Sequence, residues 1–331
     1  MSRYAAAHKQ PQGPGDARPT ALQIIQDEGV QGKLQGQVIV ITGTSSGLGI
    51  ETARALAATG ATLYLTARDL NKAKSALEGI FDPSRMELFE MDQASLSSVR
   101  AAAAAILSKT SKIHCLINNA GIMAIPDHRL TVDGHELQFG TNHLSHFLLF
   151  ELLKPALLAN ASPTLPSRVV NLSSSSHNIS GINNGNDYAF QSIKYDPNTA
   201  YGQSKTANIY MANEIERRYG ASHLHATSVH PGLIQTSLTR HMPPSAFEGM
   251  DHLGPLMKNP EQGAATSVWA AVGKDWEQEG GKYLVDCAVA EPGSGGEDKI
   301  ITPTYAAYAY DAEKEGKLWR DSLRLVGLDV E

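Results

Sequence analysis

The sequence predicts an α/β protein built around a doubly wound parallel sheet of about seven strands. Two observations lead to this class. Short apolar segments rich in β-branched residues alternate with longer segments of helical period, and no linker or internal repeat interrupts the alternation. Buried parallel strands have this continuous apolar character because helices cover both faces of their sheet. Right-handed crossovers then give one sheet between two layers of helices.

The predicted elements follow in order from residue 37. The first strand, "QVIVIT" (37–42), is a β-branched run, and Gly60 closes the helix after it, because glycine readily takes the conformation of a helix C-terminus. The helix over 140–158 is expected to end near Pro155, which lacks the N–H that continues a helix. Further strands are predicted at 61–67, 85–92, 113–121, 167–174, 224–232 and 281–291. The helices are predicted at 49–60, 70–80, 96–109, 140–158, 200–220 and 260–273.

These elements form one predicted domain, residues 36–331. Residues 1–35 make an N-terminal arm and a short helix, "ALQIIQDEG", and the Pro- and Gly-rich composition of 1–20 predicts a loose arm. Residues 237–260 mix Pro, Gly, Met and Phe without a clear period, which we interpret as a mobile lid over the substrate. Residues 292–331 form a C-terminal extension with a tyrosine cluster and a last amphipathic helix.

Composition restricts the classes of function. Of 331 residues, 42% are hydrophobic and 19% charged, and the net charge of −6 leaves no basic surface for nucleic acid. Two cysteines, Cys115 and Cys287, fit a reduced, cytoplasmic protein better than a disulfide scaffold. The N-terminus lacks the apolar part of a signal peptide, and no segment reaches the about 20 apolar residues of a membrane span. We therefore predict a soluble protein without a membrane anchor.

The segment "TGTSSGLG" (42–49) joins the first strand to the first helix. Gly43, Gly47 and Gly49 permit a tight turn and a close approach of the backbone to a pyrophosphate, which the N–H groups at the helix N-terminus bind. A plain glycine-rich turn is the alternative interpretation. The position in the first βα unit favours dinucleotide binding and a Rossmann fold.

A phenol and an ammonium lie four residues apart in "TAYGQSK" (199–205). Tyr201 and Lys205 share one face of a helix, so we expect the ammonium to stabilise the phenolate and lower the pKa of Tyr201. A phenol of this kind exchanges a proton with a carbonyl or alcohol oxygen. In isolation, such a pair is usually an ordinary surface contact.

Four motifs in this order resemble the short-chain dehydrogenase/reductase family: "TGTSSGLG", "NNAG" (118–121), "YGQSK" (201–205) and "HPG" (230–232). The resemblance covers roughly residues 36–290, and "DGHELQFGTNHLSHFLL" (133–149) resembles the retinol dehydrogenase-like and WW-domain-oxidoreductase-like subgroup. It implies hydride transfer with a nicotinamide cofactor. Family members often pair through their long helices, so the resemblance also allows a homo-oligomer.

The resemblance assigns four catalytic residues. Tyr201 is the acid/base, and Lys205 tunes it and holds the nicotinamide ribose. Ser174 matches the serine that donates to the developing oxyanion, with the other members of the serine run 173–176 as alternatives of register. Asn142 matches the asparagine that positions a water beside the lysine, and a cap or a core hydrogen bond is the alternative.

The end of the second strand indicates NADP(H). "LTARD" places Arg68 near the adenosine ribose, where an arginine accommodates a 2′-phosphate, and Asp69 leaves NAD(H) as the minority alternative. Asp92 resembles the acid that contacts the adenine. For "NNAG" a turn stabilised by asparagine side chains is the alternative. The other cofactor residues implied by the resemblance are Ser45, Ser46, Leu48 and the three loop glycines, Asn118, Ala120 and Gly121, Tyr201 and Lys205, and Pro231, Gly232, Ile234 and Thr236.

Ser174 and Tyr201 lie farther apart than in many family members, and the polar residues 177–200 between them form an inserted loop at the rim of the site. Retinol dehydrogenase-like enzymes carry a similar insertion, but we find no counterpart of their membrane anchor. The histidines 143, 146, 223 and 225 lack metal-ligand spacing and are interpreted as packing or surface residues, so no metal site is predicted. His177 is a packing residue or a substrate contact.

We predict an NADP(H)-dependent oxidoreductase that interconverts a carbonyl and an alcohol on an apolar small molecule. One alternative is a non-catalytic NADP(H) sensor on the same fold, which would have no need of Tyr201. A second is an enone reductase that acts on the carbon–carbon double bond. Substrate, stereochemistry and direction are not encoded in these motifs.

Overall fold

The computed structural model describes residues 2–243, 245, 248–249, 251–293 and 303–330. A central sheet of eight strands has the spatial order β10-β9-β6-β5-β4-β1-β2-β3, and every neighbouring pair is parallel except β9 with β10. The predicted doubly wound parallel sheet is confirmed. The strands are β1 Val38–Thr42, β2 Thr62–Ala67, β3 Met86–Glu90, β4 Cys115–Asn118, β5 Ser167–Leu172, β6 Leu224–His230, β7 Leu233–Ile234, β8 Met257–Lys258, β9 Lys282–Val285, β10 Ala288–Val289, β11 Glu291–Pro292 and β12 Thr304–Tyr305.

Helices cover both faces of this sheet, and the alternation of side chains along β1 shows how. Val38 and Val40 face one apolar layer, and Ile39 and Ile41 face the other, because successive side chains of a strand point to opposite faces. Helices α4, α6, α7 and α10 pack on the first side and α1, α2 and α9 on the second. The helices are α1 Ala21–Asp27, α2 Leu48–Ala57, α3 Leu70–Ala76, α4 Leu96–Leu107, α5 Leu137–Phe139, α6 Ser145–Asn160, α7 Pro197–Tyr219, α8 Pro260–Gly263, α9 Ala265–Val272 and α10 Ala312–Leu325.

The structure differs from two of the predicted elements in three respects. The strand predicted over 281–291 is a hairpin of β9 and β10, because Asp286 and Cys287 both adopt left-handed backbone angles (φ 55° and 52°) and reverse the chain. The helix predicted over 140–158 begins as a π-helix, Gly140–Leu144, before α6. Helix α6 also continues through Pro155 to residue 160 instead of ending near it.

The N-terminal arm is ordered, contrary to the prediction of a loose segment. Tyr4 and Arg18 are 6% and 4% exposed, and Arg18 donates hydrogen bonds to backbone carbonyls near residue 256. Polar composition alone misses such packing, since a guanidinium can be buried when its donors are all used. The short helix predicted after the arm is α1.

Parts of the predicted lid and C-terminal extension lie outside the described residues, namely 244, 246, 247, 250, 294–302 and 331. The described extension ends in α10, where Trp319 packs its ring edge-to-face on Phe147 and Phe150 of α6. Among the helices described, none combines the length and apolarity needed to cross a bilayer.

Candidate active site

The motifs singled out in the sequence meet at one edge of the sheet. The glycine loop, Arg68, Asp92, "NNAG", Ser174 and Pro231 directly follow β1, β2, β3, β4, β5 and β6. All six strands are parallel, so these segments lie at the same, carboxyl, edge. The strand order reverses between β1 and β4, the place where open α/β sheets bind ligands.

The glycine loop has the shape required of a phosphate cradle. Gly43 (φ 75°) and Gly47 (φ 64°) adopt left-handed angles, and a Cβ on Gly43 would lie 2.6 Å from Cβ of Ala120. Gly47 caps α2 without a side chain that bonds to its first N–H groups. These donors fit a dinucleotide phosphate, because no side chain of the cap competes for them. Ser45, Ser46 and Leu48 are half-buried along the same loop.

A buried threonine that the sequence prediction missed joins the glycine loop to "NNAG". The Thr42 hydroxyl accepts hydrogen bonds from the backbone N–H groups of Asn119 (2.9 Å) and Ala120 (3.0 Å). The Asn119 side chain donates to the Thr42 carbonyl at 2.7 Å. His146 completes the network, with Nε2 2.9 Å from the Thr42 hydroxyl and Nδ1 2.9 Å from the Asn142 carbonyl. The sequence contains no clear signal for this network, because tertiary packing decides the burial of Thr42 and His146.

Ser174, Tyr201 and Lys205 come together below this edge. The Ser174 side chain is placed to act as a hydrogen-bond partner of the Tyr201 phenol. The Lys205 Nζ lies 5.4 Å from the centre of the Tyr201 ring and donates to the Leu172 carbonyl at 3.0 Å. Ser173 instead donates to the Lys205 carbonyl at 2.8 Å. The structure thus brings Ser174, and not Ser173, to the phenol.

The electrostatics of this pair differ from the sequence expectation. Burial raises the pKa of Tyr201 to about 12, although its hydrogen bond with Ser174 lowers it. Burial also lowers the pKa of Lys205 to about 7. The expected lowering of the Tyr201 pKa is therefore wrong in sign, because desolvation of the buried phenol dominates.

Asn142 lies in the π-helix and is fully buried. Its side chain accepts from the Ile122 N–H (2.9 Å) and donates to the Ile122 carbonyl (3.0 Å) and the Ser204 hydroxyl (3.0 Å). Short π-helical turns recur at functional sites. Gly121 fits between this asparagine and the lysine, since a Cβ there would lie 3.2 Å from Asn142 Oδ1 and 3.5 Å from Lys205 Nζ.

The residues predicted to select the cofactor follow the ends of β2 and β3. The Arg68 side chain is exposed at the end of β2. Asp69 caps α3, and its carboxylate accepts from the Lys72 N–H at 2.9 Å, so this acid is already engaged. Asp92 accepts from the Ala94 N–H at 3.0 Å in the turn after β3.

The remaining predicted cofactor residues lie in "NNAG", at the end of β4, and in the segment 231–236, after β6. Asn118 is buried, and its side chain donates to the Asn171 side chain at 2.8 Å. On the other side, the methyl and Cβ of Thr236 lie within 4 Å of a Cβ built on Gly47. The segment containing Pro231, Gly232, Ile234 and Thr236 thus borders the glycine loop.

His177 is fully buried and joins the Ser174 loop to the C-terminal extension, which is the packing role of the two that the sequence left open. Its Nδ1 lies 2.7 Å from the Ser174 carbonyl, and its Nε2 accepts from the Ala306 N–H at 3.2 Å. Tyr308 of the C-terminal extension donates to the His177 carbonyl at 2.5 Å. Both ring nitrogens are occupied, so His177 and the nearby tyrosine support the Ser174 loop from behind.

Comparison with known proteins agrees with this architecture. The family model described as short chain dehydrogenase matches residues 37–246. Short-chain dehydrogenase/reductase prx1 of Penicillium roqueforti is 46% identical over 329 residues, which cover 98% of this chain and 95% of the relative. Human retinol dehydrogenase 13 is 37% identical over 306 residues, 90% of this chain and 86% of the relative.

A similar solved structure agrees with these relatives. The crystal structure of a protein from Mycobacterium paratuberculosis, titled putative uncharacterized, superposes with a TM-score of 0.69 at 32% identity and covers 95% of this chain and 100% of that one. The chain belongs to the short-chain dehydrogenase/reductase family of oxidoreductases.

Proposed function

We propose that the protein is an NADP(H)-dependent oxidoreductase that interconverts a carbonyl and an alcohol on an apolar small molecule. The observation that carries this proposal is the group formed by buried Tyr201 and Lys205 with half-buried Ser174, at the same sheet edge as the glycine loop. Asn142 lies on the other side of Gly121 from Lys205. A phenol, a hydroxyl and an amine in this arrangement can donate a proton and hydrogen bonds to one substrate oxygen atom.

The chemistry of these side chains favours proton donation. With a pKa of about 12, Tyr201 is protonated at neutral pH and can donate to a carbonyl oxygen as charge develops there. Ser174 can donate a second hydrogen bond to the same oxygen. A bound nicotinamide would supply the hydride. Asn142 and Lys205 would hold the water through which Tyr201 regains its proton, as the family resemblance implies.

NADP(H) is the preferred cofactor in this proposal because of the two residues that follow β2. Asp69 is engaged as the N-cap of α3 and is poorly placed to bind a ribose 2′-OH. The exposed Arg68 guanidinium is free to pair with a 2′-phosphate, a geometry that suits arginine. NAD(H) stays the alternative.

An apolar substrate is supported by similarity. The 37% identical relative is, by its name, a retinol dehydrogenase, and retinol is an apolar alcohol. We propose residues 237–260 as the lid over this substrate, in a single domain over 36–331. Two free, buried cysteines fit the reducing cytoplasm predicted for the protein. A homo-oligomer remains a prediction.

Steady-state turnover tests the proposal. NADPH and NADH oxidation would be followed with a panel of apolar aldehydes, ketones and enones, with Tyr201→Phe as the control. We expect turnover with NADPH that Tyr201→Phe abolishes, and an intact alkene in the product from an enone. Tight NADPH binding without turnover across the panel would favour the sensor, and a saturated ketone product would favour the enone reductase.

A further inference from the structure

The N-terminal arm contains a buried arginine whose hydrogen bonds leave the arm. Arg18 is 4% exposed. Its guanidinium donates to the carbonyls of Leu256 (2.9 Å) and Met257 (2.5 Å), as well as to Gly13 (3.0 Å) within the arm. Its Nε donates to the Asp16 carboxylate at 2.8 Å. A buried guanidinium is tolerated when its donors are used in this way, so the arm and residues 256–257 are held as one unit.

The residues that Arg18 holds form part of the predicted nicotinamide side of the site. Residues 257–258 are β8, which pairs with β7 through Leu233↔Met257 and Ile234↔Lys258. Lys258 also donates to the Pro231 carbonyl at 3.3 Å and to Asp286 at 2.6 Å. Arg18 therefore fixes the strand against which the Pro231–Thr236 segment is built.

A second set of contacts leads from the arm to the same place. The Gln262 side chain accepts from the Gly15 N–H at 2.9 Å and donates to the Asp16 carboxylate at 3.0 Å. It also completes the capping box of α8 with Asn259. The next residue, Gly263, packs so closely that a Cβ would lie 2.7 Å from Ile234 and 2.8 Å from Leu48. Gln262 thus contacts the arm, and the next residue, Gly263, contacts two predicted cofactor residues, Ile234 and Leu48.

We propose that Arg18 is a positioning residue for the nicotinamide half of the dinucleotide site, and that residues 13–18 act as a clip on segment 255–263. This inference rests on the proposed function. Loss of the guanidinium removes the hydrogen bonds that join residues 255–257 to the arm and frees β8, and through it β7. Arg18 itself donates no hydrogen bond to the glycine loop or to Arg68, so the adenosine half of the site should change much less than the nicotinamide half.

Binding titrations on the folded protein test the clip. We compare Kd values for NADPH and NADH with the Kd of 2′,5′-ADP, which contains only the adenosine half, in wild type and Arg18→Met. We expect Arg18→Met to weaken dinucleotide binding about tenfold, within the 5–150-fold usual for coupled sites, and to leave the Kd of 2′,5′-ADP within about twofold. Arg3→Met is the matched control, because Arg3 pairs with Glu28 (2.9 Å) and Asp27, away from β8.

A second variant and a second readout complete the test. Arg18→Lys keeps the charge but loses the forked donors, so an intermediate loss of dinucleotide affinity is expected, and this variant carries the test if Arg18→Met does not fold. Without cofactor, Arg18→Met should be cleaved faster by trypsin near Lys258 than Arg3→Met. Equal dinucleotide affinity in wild type and the Arg18 variants, or equal losses for dinucleotide and 2′,5′-ADP, would overturn the clip alone. Wild type that binds neither dinucleotide would overturn the proposed function and the clip with it.

Discussion

Replacement of Lys205 by methionine should stabilise the protein without cofactor while it destroys the site. Burial lowers the pKa of Lys205 from 10.5 to about 7. Below pH 7 the amine is charged in both states, and the folded state disfavours this charge relative to the unfolded state. At about 1.4 kcal/mol for each pKa unit, this difference corresponds to about 5 kcal/mol of lost stability at pH 6. The variant also loses the charged hydrogen bond to the Leu172 carbonyl, worth about 1.5–3 kcal/mol. That carbonyl keeps a second donor, the Asn208 side chain, at 2.9 Å.

The expected net effect at pH 6 is a gain of roughly 2–3 kcal/mol in the free energy of unfolding of Lys205→Met. The sign follows from linkage: a lysine whose folded pKa lies below its unfolded value destabilises the fold fully below the folded pKa, and this penalty fades as pH rises toward the unfolded pKa. The stability difference should therefore change by about 4 kcal/mol between pH 6 and pH 10, so that the variant becomes less stable than wild type by about 1–2 kcal/mol at pH 10.

Urea unfolding followed by circular dichroism at pH 6, 8 and 10 measures this difference. Lys154→Met is the matched control. Although burial acts to lower it, the pKa of Lys154 is raised by the hydrogen bond and charge of Glu151, at 2.6 Å, so its replacement should destabilise the protein. A Lys205→Met variant that is less stable than wild type at pH 6, or whose stability difference does not change with pH, would refute the burial argument.

Three further predictions concern the cofactor cleft and the core. Gly43→Ala should destabilise the protein by about 1–3 kcal/mol more than Gly79→Ala. Both glycines have φ near 75°, but only at Gly43 would a Cβ lie 2.6 Å from Ala120. Parallel urea titrations measure the difference, and equal losses of stability would contradict the prediction. Arg68→Ala should raise the KM for NADPH about tenfold and leave the KM for NADH nearly unchanged, since only NADPH has a 2′-phosphate; equal changes would count against NADP(H) selection by Arg68. Trp319→Ala should lower the free energy of unfolding by about 3–5 kcal/mol, because the 4% exposed ring packs against α6; a loss below about 1 kcal/mol would show that α10 contributes little to the core.

Much of the site was predictable because it lies where strands end. The glycine loop, "NNAG" and the serine run each follow a clear apolar strand, and parallel pairing brings such ends to one edge. The i, i+4 spacing placed Tyr201 and Lys205 on one helix face, and in the structure the Lys205 Nζ lies 5.4 Å from the centre of the Tyr201 ring.

The features that were missed depend on contacts between distant residues. The turn at Asp286 and Cys287 needs two left-handed residues that carry no glycine signal. The order of the N-terminal arm depends on carbonyls more than 230 residues away that accept from Arg18. The pKa of Tyr201 was predicted with the wrong sign, because sequence spacing shows the ammonium but not the degree of burial. Tertiary burial decides these features, and periodicity along the chain does not record it.

The central claim is that Tyr201 protonates a carbonyl oxygen while hydride arrives at the carbonyl carbon. The most direct test uses NADPH deuterated at nicotinamide C4, on the transferred face, with an apolar enone and analysis of the product by NMR and mass spectrometry. We predict an allylic alcohol with deuterium on the carbinol carbon from wild type, and no labelled product from Tyr201→Phe. Deuterium on the former alkene carbon, or equal labelling by the Tyr201→Phe variant, would contradict the mechanism.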